Sequence, residues 1–177
     1  RYFLLVNPDL FLNPRCVEGM LRFLEEHEGA GAVGPRLVYP NGKRQPSCRR
    51  YPTLRAIVAS QFPWVTRFMW KGISAHYLME DTELSGPTEV DWLMGACILM
   101  KREAVGDVGA LDDRFFLYRE DTDWCFRARR KGWKIFYLPG QEAVHDYGRQ
   151  SAKGINRPLI WHVKSMVRFY RKHGFRF

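Results

Sequence analysis

Short apolar runs separated by turn residues dominate the hydrophobic pattern of this chain. The first run, Tyr2–Val6, is continuously apolar with no charged alternation. This is typical of a strand buried on both faces of an α/β sheet, with neighbours on both sides. The run ends at Asn7-Pro8-Asp9, where Pro8 cannot donate to a β-ladder. Ligands usually bind at the carboxyl ends of strands in open α/β sheets, so this turn is a candidate ligand site, with an ordinary turn as the alternative.

An amphipathic repeat follows the turn. Asn13 and Pro14 are suited to the N-cap and first position of a helix, which is predicted to end near Gly29. The apolar residues recur at helical spacing, at Val17, Met20, Leu21 and Leu24. The pattern therefore predicts a surface helix that covers a sheet. Farther on, Asn41-Gly42 is a strong hairpin signal.

The middle of the chain is harder to interpret. Residues 45–51 are predicted to be extended, residues 54–69 are apolar enough for a helix, and residues 80–88 are predicted to form a polar loop. Residues 89–100 then form two extended apolar pieces bent at Gly95-Ala96. A glycine inside a strand pattern indicates a bulge or the close approach of backbone or ligand.

A second set of apolar runs surrounds an acidic trio. Phe115–Tyr118 is predicted to be buried, and it leads into a helix that starts near Glu120, Asp121 and Asp123 and ends at Gly132. Carboxylates in a first helical turn cap N–H groups and complement the dipole. Crowded carboxylates also repel, which raises one pKa toward the range that a general base needs. Both roles stay open.

After this helix, Trp133–Leu138 is predicted to be a strand that Pro139 stops, with His145 at the mouth of the following loop. A lone histidine after an apolar pair is more often structural than a ligand.

Composition limits the class of protein. With 177 residues, 46% of them hydrophobic, the chain can bury one substantial core. No run reaches roughly 18 apolar residues, so we expect no membrane span, and no export signal is visible.

The four cysteines have no CxxC spacing, so we expect reduced thiols in a cytoplasmic protein. The net charge of +9 is unevenly distributed, because residues 147–177 contain no Asp or Glu. Eight basic residues lie there: Arg149, Lys153, Arg157, Lys164, Arg168, Arg171, Lys172 and Arg176. Such a tail attracts anions, which include nucleic acid, an acidic membrane face and a phosphorylated substrate.

Taken together, the motifs resemble a known family. The ordered set is Asn7-Pro8-Asp9, Gly34-Pro35, Asn41-Gly42, Asp91 to Ala96, Phe115 to Asp123, Arg127, Gly132, Pro139 and Val144-His145. It is similar to the carboxyl-terminal half to two-thirds of a family 2 glycosyltransferase of the GT-A fold, in the rhamnosyltransferase-like branch. The resemblance implies an α/β fold with a mixed sheet flanked by helices, without the N-terminal Rossmann-like strands. We divide it into a catalytic and acceptor part, residues 1–146, and a basic helical segment, residues 147–177.

The resemblance implies inverting, metal-dependent transfer of a sugar from a nucleoside diphosphate to an acceptor hydroxyl. Asp121 matches the catalytic base, and Asp9 and His145 match ligands of Mn²⁺ or Mg²⁺. Asn7 stands where many members carry an aspartate, so we expect diphosphate and water to complete the coordination. Asn7 and Asp9 would bind the donor diphosphate. The residues expected on the acceptor side are Trp92, Gly95, Glu120 and Asp123.

The implied partners are a nucleotide-sugar donor and a lipid-linked or polysaccharide acceptor in cell-envelope synthesis. The donor that the branch suggests is dTDP-rhamnose, with UDP-galactose and UDP-N-acetylglucosamine as alternative donors. Without the nucleotide-binding half we expect weak nucleotide-sugar binding and an unpaired edge at Tyr2–Val6. We expect the basic tail to make peripheral contact with an anionic membrane, or else to pack as a solvated helix.

Two other functions stay open. A non-catalytic nucleic-acid or polyanion-binding domain would explain the charge, but the basic residues follow no recognised nucleic-acid motif, so we expect no nucleic-acid partner. An inactive transferase relic is the other alternative, because Asn7 replaces a carboxylate.

Overall fold

The computed structural model describes residues 1–51, 53, 71–146 and 157–174. The helix predicted over residues 54–69 lies outside them. The strands are β1 Tyr2–Val6, β2 Leu10–Leu12, β3 Ala30–Val38, β4 Cys48–Arg49, β5 Thr88–Glu89, β6 Trp92–Leu93, β7 Cys97–Lys101 and β8 Lys134–His145. The helices are α1 Pro14–Glu26, α2 Lys71–Tyr77, α3 Arg102–Val108, α4 Glu120–Arg130 and α5 Arg157–His173.

A six-stranded mixed sheet forms the centre of the fold. Its order is β1-β7-β3-β8-β2, and β5 pairs with β8. β3 runs parallel to β8 and antiparallel to β7. A separate two-stranded sheet joins β4 to β6. The predicted α/β fold with a mixed sheet is therefore confirmed.

The apolar core has two layers, one on each face of the sheet. Ala32 of β3 and Ile98 of β7 pack in the cluster that includes α3 and α4. Their neighbours Val33 and Leu99 pack in the cluster that includes α1. This alternation is what a pleated sheet covered by helices on both faces requires. The four cysteines are all buried and unpaired.

Helix α1 follows its sequence signals closely. The side chain of Asn13 accepts a hydrogen bond from the Arg15 N–H at 2.9 Å, which caps the helix. Met20 and Leu24 are fully buried.

Asn41-Gly42 forms the predicted turn, in which Gly42 has φ +77° and its N–H donates to the Tyr39 carbonyl. A left-handed φ of this kind favours glycine.

Strand β1 differs from its prediction. It lies at the edge of the sheet, and within the described part of the chain only β7 pairs with it. Phe3 is 48% exposed, Leu4 40% and Val6 39%. The expectation of burial on both faces is therefore wrong, because an apolar run does not report how many strands lie beside it. Within the described residues, β1 has the unpaired edge that the resemblance implied.

Strand β8 also differs, because Pro139 does not stop it. The strand continues to His145, and its pairing with β3 shifts register between Pro35 and Arg36. Pro35 pairs with Leu138, whereas Arg36 pairs with Glu142, so residues 139–141 form a bulge. A proline is tolerated at a bulge because no ladder N–H is needed there. His145 consequently lies in a strand rather than in a loop.

The segment before α4 is less buried than predicted. Phe115 is buried, but Phe116 is 72% exposed and Leu117 36% exposed. Tyr118 and Arg119 both have left-handed backbones, with φ of 65° and 73°. Helix α4 itself begins at Glu120 and ends before Gly132, close to the predicted limits. Among the described residues, no helix is both long and apolar enough to cross a membrane.

Candidate active site

Asp9 and His145 meet at one edge of the sheet. Leu10 of β2 pairs with His145 of β8, and the Asp146 N–H donates to the Asp9 carbonyl at 3.0 Å. Asp9 Oδ1 lies 3.2 Å from His145 Nε2. The imidazole is fully buried, whereas the Asp9 side chain is 45% exposed. The pair can therefore face a ligand from the Asp9 side.

Gln45 fixes the orientation of this imidazole. Its Nε2 donates to the His145 carbonyl at 2.6 Å, and its Oε1 lies 3.0 Å from His145 Nδ1. An amide oxygen only accepts, so His145 Nδ1 carries a proton and donates a hydrogen bond to Gln45, which leaves Nε2 facing Asp9. Sequence reasoning missed Gln45, which is 100 positions from His145.

Asp121 contacts the bend between β6 and β7. The Gly95 N–H donates to Asp121 Oδ2 at 2.8 Å. A Cβ on Gly95 would lie 3.3 Å from that same oxygen, which explains the glycine in the strand pattern. Next to it, the Asn7 N–H donates to the Ala96 carbonyl at 3.0 Å. The bend therefore joins the turn after β1 to the start of α4.

The second oxygen of Asp121 is also engaged. Oδ1 accepts from the Thr122 N–H at 2.6 Å and from its hydroxyl at 3.2 Å. Asp121 is 8% exposed. These bonds fix the carboxylate in one orientation at the helix start. Asp121 can therefore accept N–H groups there and still be a candidate general base.

Glu120 has a different environment from its neighbour. Its Oε2 is buried and has no hydrogen-bond partner in the described structure. Burial, followed by the charge of Asp121, raises the pKa of Glu120 to about 7. The crowding of carboxylates therefore does raise one pKa, as the sequence suggested, but the group affected is Glu120.

Asp123, expected on the acceptor side, is fully buried and surrounded by basic side chains. Arg127 Nε lies 2.8 Å from its Oδ2, while Lys172 Nζ and His173 Nε2 each lie 2.7 Å from its Oδ1. Burial alone would raise the pKa of Asp123, but the hydrogen bonds from His173, Lys172 and Arg127 outweigh it and lower the pKa. The carboxylate thus joins α4 to α5, and it presents no exposed oxygen to an acceptor.

Trp92, also expected on the acceptor side, is 5% exposed. Its indole N–H donates to the Arg50 carbonyl at 2.9 Å. The guanidinium carbons of Arg49 and Arg119 lie 5.1 Å and 5.8 Å from its ring. Trp92 therefore supports a group of cations beside the acidic residues.

The described residues form no metal site with three carboxylate, imidazole or thiolate ligands. In the part of the chain that the structure describes, no group of three or more His, Cys, Asp and Glu side chains could hold an ion. The available donor set is the Asp9 carboxylate and the His145 imidazole, with Gln45 behind the imidazole. Outer hydrogen bonds of this kind orient metal-ligating histidines in general.

The mixed sheet flanked by helices has the GT-A fold of glycosyltransferases. The chain matches the crystal structure of GalNAc-T7 with UDP, GalNAc and Mn²⁺ with a TM-score of 0.62, covering 96% of this chain and 32% of that one. Because the sequences are 12% identical, this match shows the fold alone.

The chain belongs to the glycosyltransferase-like family 2, which it matches over residues 4–165. It is 31% identical to the N-acetylglucosaminyl-diphospho-decaprenol L-rhamnosyltransferase of Mycobacterium tuberculosis, over 95% of this chain and 54% of that protein. It is 26% identical to rhamnosyltransferase WbbL of Escherichia coli, over 95% of this chain and 61% of that protein. It is also 30% identical to dTDP-rhamnosyl transferase RfbF of Shigella flexneri, over 51% of this chain and 30% of that protein.

These matches confirm the resemblance to the rhamnosyltransferase-like branch of the family. The chain spans about half the length of the first relative. We therefore propose a donor, an acceptor and a metal only for the complete protein.

Proposed function

We propose that the complete protein transfers rhamnose from dTDP-rhamnose to a hydroxyl of a lipid-linked, diphosphate-bearing sugar acceptor, with inversion at the anomeric carbon. The names of the rhamnosyl relatives support the donor, and that of the mycobacterial relative supports the acceptor. The observation that carries the proposal is the position of Asp121, a buried carboxylate fixed by the Gly95 N–H beside the turn that holds Asn7 and Asp9.

Asp121 acts as the general base. The acceptor oxygen forms a bond to the anomeric carbon while its proton passes to the Asp121 carboxylate. The bond from that carbon to the diphosphate breaks, and the diphosphate leaves with the electron pair. The bonds from Gly95 and Thr122 keep the carboxylate from turning away, which reduces the entropy cost of reaching this geometry.

Trp92, Gly95 and Glu120 form the acceptor side in this proposal. Glu120 has a pKa of about 7 and a buried oxygen that lacks a hydrogen-bond partner within the described chain. It can bind an acceptor hydroxyl either as a donor or as an acceptor of a hydrogen bond. Asp123 instead links α4 to α5 through its contacts with Lys172 and His173.

Asp9 and His145 fit a divalent ion, Mn²⁺ or Mg²⁺. His145 Nε2 and Asp9 Oδ1 lie 3.2 Å apart, so both atoms could bind one ion, to which the imidazole would offer the lone pair of Nε2. Imidazole favours Mn²⁺ over Mg²⁺. Such an ion would neutralise the charge of the leaving diphosphate. Asn7 and Asp9 would lie beside the diphosphate.

Helix α5 supplies the membrane contact in this proposal. Ile160, Val163 and Val167 are each about half exposed, at 49%, 45% and 48%. Lys164 and Arg168 lie among them, and Phe116 is 72% exposed in the preceding segment. Such a surface suits peripheral contact with an anionic membrane. Residues 147–177 would then hold the catalytic part, residues 1–146, at the cytoplasmic face of the membrane.

The test is a transfer assay on the complete protein. Labelled dTDP-rhamnose and an N-acetylglucosaminyl-diphospho-lipid acceptor are supplied with Mn²⁺ or with a chelator. We expect turnover that needs the metal and that falls by about 10²–10⁴-fold in Asp121→Asn, which keeps the shape of the side chain but cannot take the proton.

Asp113→Asn is the matched control, because Asp113 is exposed and lies in the same acidic region. It should leave turnover unchanged. Full turnover in Asp121→Asn would exclude Asp121 as the base. The absence of any transfer by the wild type, with either metal and with each candidate donor, would contradict the proposed function.

A further inference from the structure

Arg119 is a buried cation beside the candidate acidic residues. The residue is 5% exposed and immediately precedes Glu120 and Asp121. Its guanidinium lies 3.4 Å from the Tyr77 hydroxyl and 3.4 Å from His162 Nε2. Within the described residues, no carboxylate lies within 4.0 Å of it. Among the described residues, its positive charge therefore has no direct ion pair, although it acts on the adjacent Glu120 at longer range and partly offsets the rise in the pKa of that carboxyl.

Arg49 adds a second positive charge to the same place. Its Nη1 lies 3.5 Å from the same Tyr77 hydroxyl, and both guanidinium groups lie against Trp92. We call Arg49, Tyr77, Trp92, Arg119 and His162 the arginine cluster. Two guanidinium groups that share one phenol oxygen repel each other, and burial strengthens the repulsion.

The titratable groups of the cluster respond to this excess positive charge. Burial, followed by the charges of Arg119 and Arg49, lowers the pKa of His162 to about 3, so this histidine is neutral at physiological pH. Burial alone would raise the pKa of Tyr77, but Arg119 and Arg49 outweigh it and lower the pKa. Both shifts are those expected where an anion would be favoured.

The backbone holds Arg119 in place at an energetic cost. Tyr118 and Arg119 both adopt the left-handed conformation, with φ of 65° and 73°, which is uncommon for residues with side chains. Consecutive conformations of this kind persist only where the surroundings enforce them, and they cluster at functional sites. The Leu117 carbonyl, just before them, accepts from the Ser165 hydroxyl of α5 at 2.7 Å.

We propose that Arg119, with Arg49 beside it, binds a phosphate or diphosphate group of a substrate. The planar guanidinium matches phosphate oxygens in pairs, and an anion would relieve the repulsion between the two cations. The proposal rests on the proposed function and adds a second anion site to it. Asp9 and His145 are assigned to the donor diphosphate, and Arg119 contacts the acceptor-side residue Trp92, so the acceptor diphosphate is the favoured ligand.

The first experiment measures inorganic pyrophosphate binding without metal. Titration calorimetry in a chelator compares the wild type with Arg119→Met, which keeps the length of the side chain but removes the charge. We expect binding at least about tenfold weaker in the variant, because charge-assisted hydrogen bonds are lost. Arg119→Lys should bind between the two, since it keeps the charge without the planar fork.

Thermal unfolding of the ligand-free proteins separates a ligand site from a structural role. Arg119→Met should unfold at or above the wild-type temperature, because it removes a buried charge that makes no direct ion pair with any described residue. The control is Arg129→Met in α4, where Arg129 pairs with Glu89 at 3.2 Å and donates a hydrogen bond to the Val90 carbonyl at 2.8 Å. It should lower Tm and leave pyrophosphate binding unchanged. Wild-type pyrophosphate affinity in Arg119→Met, or no binding by the wild type, would overturn the proposal.

A kinetic comparison with the complete protein identifies the source of the phosphate. The same sugar is offered on a diphospho-lipid and on a neutral lipid. If the acceptor is the source, Arg119→Met raises KM for the diphospho-lipid alone. If KM for the nucleotide sugar rises instead, the donor is the source. Unchanged KM values for all substrates would overturn the phosphate site. A lack of transfer by the wild type would instead contradict the proposed function, and the phosphate site would then be judged from pyrophosphate binding alone.

Discussion

Glu120 and Asp121 are adjacent carboxylates with opposite environments. Asp121 accepts hydrogen bonds from two backbone N–H groups, which fix it at the bend of the sheet. Glu120 has a buried oxygen without such a bond in the described structure, and its pKa is raised to about 7. The two groups therefore suit different tasks: Asp121 is a carboxyl group fixed in one orientation, and Glu120 can hold a proton near neutral pH.

The raised pKa of Glu120 predicts a pH-dependent stability. The folded protein keeps this proton up to about pH 7, while the unfolded chain loses it near the ordinary value of 4.5. Stability should therefore fall as the pH rises from 4.5 to 7, by at most about 3 kcal/mol from this group. Glu120→Gln cannot lose a proton, so urea unfolding should show a shallower fall over this range.

The control is Glu18→Gln, on the exposed face of α1. Its stability profile should run parallel to that of the wild type. If the stability profile of Glu120→Gln also ran parallel to that of the wild type, the pKa of Glu120 would be the same in the folded and unfolded protein. The raised pKa inferred from its buried environment would then be wrong.

The attachment of α5 to α4 depends on a small set of charges and rings. Asp123 contacts Lys172 and His173 of α5, and Lys172 also reaches Asp112 at 2.7 Å. Phe126 of α4 packs edge-on against Phe169, with ring centroids 5.9 Å apart. The third acidic residue of the helix start thus serves packing between elements.

Asp123→Ala should be strongly destabilising. It leaves Arg127, Lys172 and His173 near one another without their shared counter-ion, and breaking a buried pair in this way costs about 3–5 kcal/mol. Chemical denaturation measures the loss, and limited proteolysis tests whether α5 becomes more accessible than α1. Asp107→Ala, which breaks a surface pair with Lys131, should have little effect. Equal stabilities of the two variants would contradict the role of Asp123.

Sequence patterns predicted some elements well and others poorly. Helix α1 has its cap, its first proline and its apolar spacing within one short segment, so local signals suffice. β1 and β8 were mispredicted for a different reason. Whether an apolar run is an edge strand, and whether a proline stops a strand or enters a bulge, depends on the neighbouring strand.

The charge of the whole molecule is concentrated at one end of the chain. The acid-free stretch from residue 147 includes α5, whose Lys164 and Arg168 lie among exposed apolar side chains. A cavity of about 670 Å³ lies between α5 and the segment that contains Arg114 and Phe116. Its lining includes five cations and no carboxylate: Arg114, Lys164, Arg168, Arg171 and Lys172. We therefore expect this surface to face negative charge.

Flotation with vesicles tests the membrane contact. The wild type should float with anionic vesicles and much less with neutral ones, because each basic residue near an anionic surface contributes about 1 kcal/mol. Lys164→Ala/Arg168→Ala should lower the partition coefficient by about 30-fold. The matched control, Arg15→Ala/Arg22→Ala, removes the same charge from α1 and should float like the wild type. Equal flotation with both kinds of vesicle would exclude the contact.

The sequence by itself determined the family, the α/β class and the elements whose signals are local. A turn after an apolar run, a glycine in a strand pattern and an acidic helix start can be recognised within a few residues, which drew attention to Asp9, Gly95 and Asp121. His145 was singled out by the resemblance to the family, because a lone histidine carries no such local signal.

Only the tertiary structure decided which side chains meet. Gln45 orients His145 across 100 positions, and Arg119 meets Tyr77 and His162 at 42 and 43 positions. The tertiary structure also places Asp123 inside the protein against α5 rather than at a surface. The physical reason is that a periodic pattern specifies the conformation and buried face of one element, whereas the contacts of a polar side chain depend on how distant elements pack.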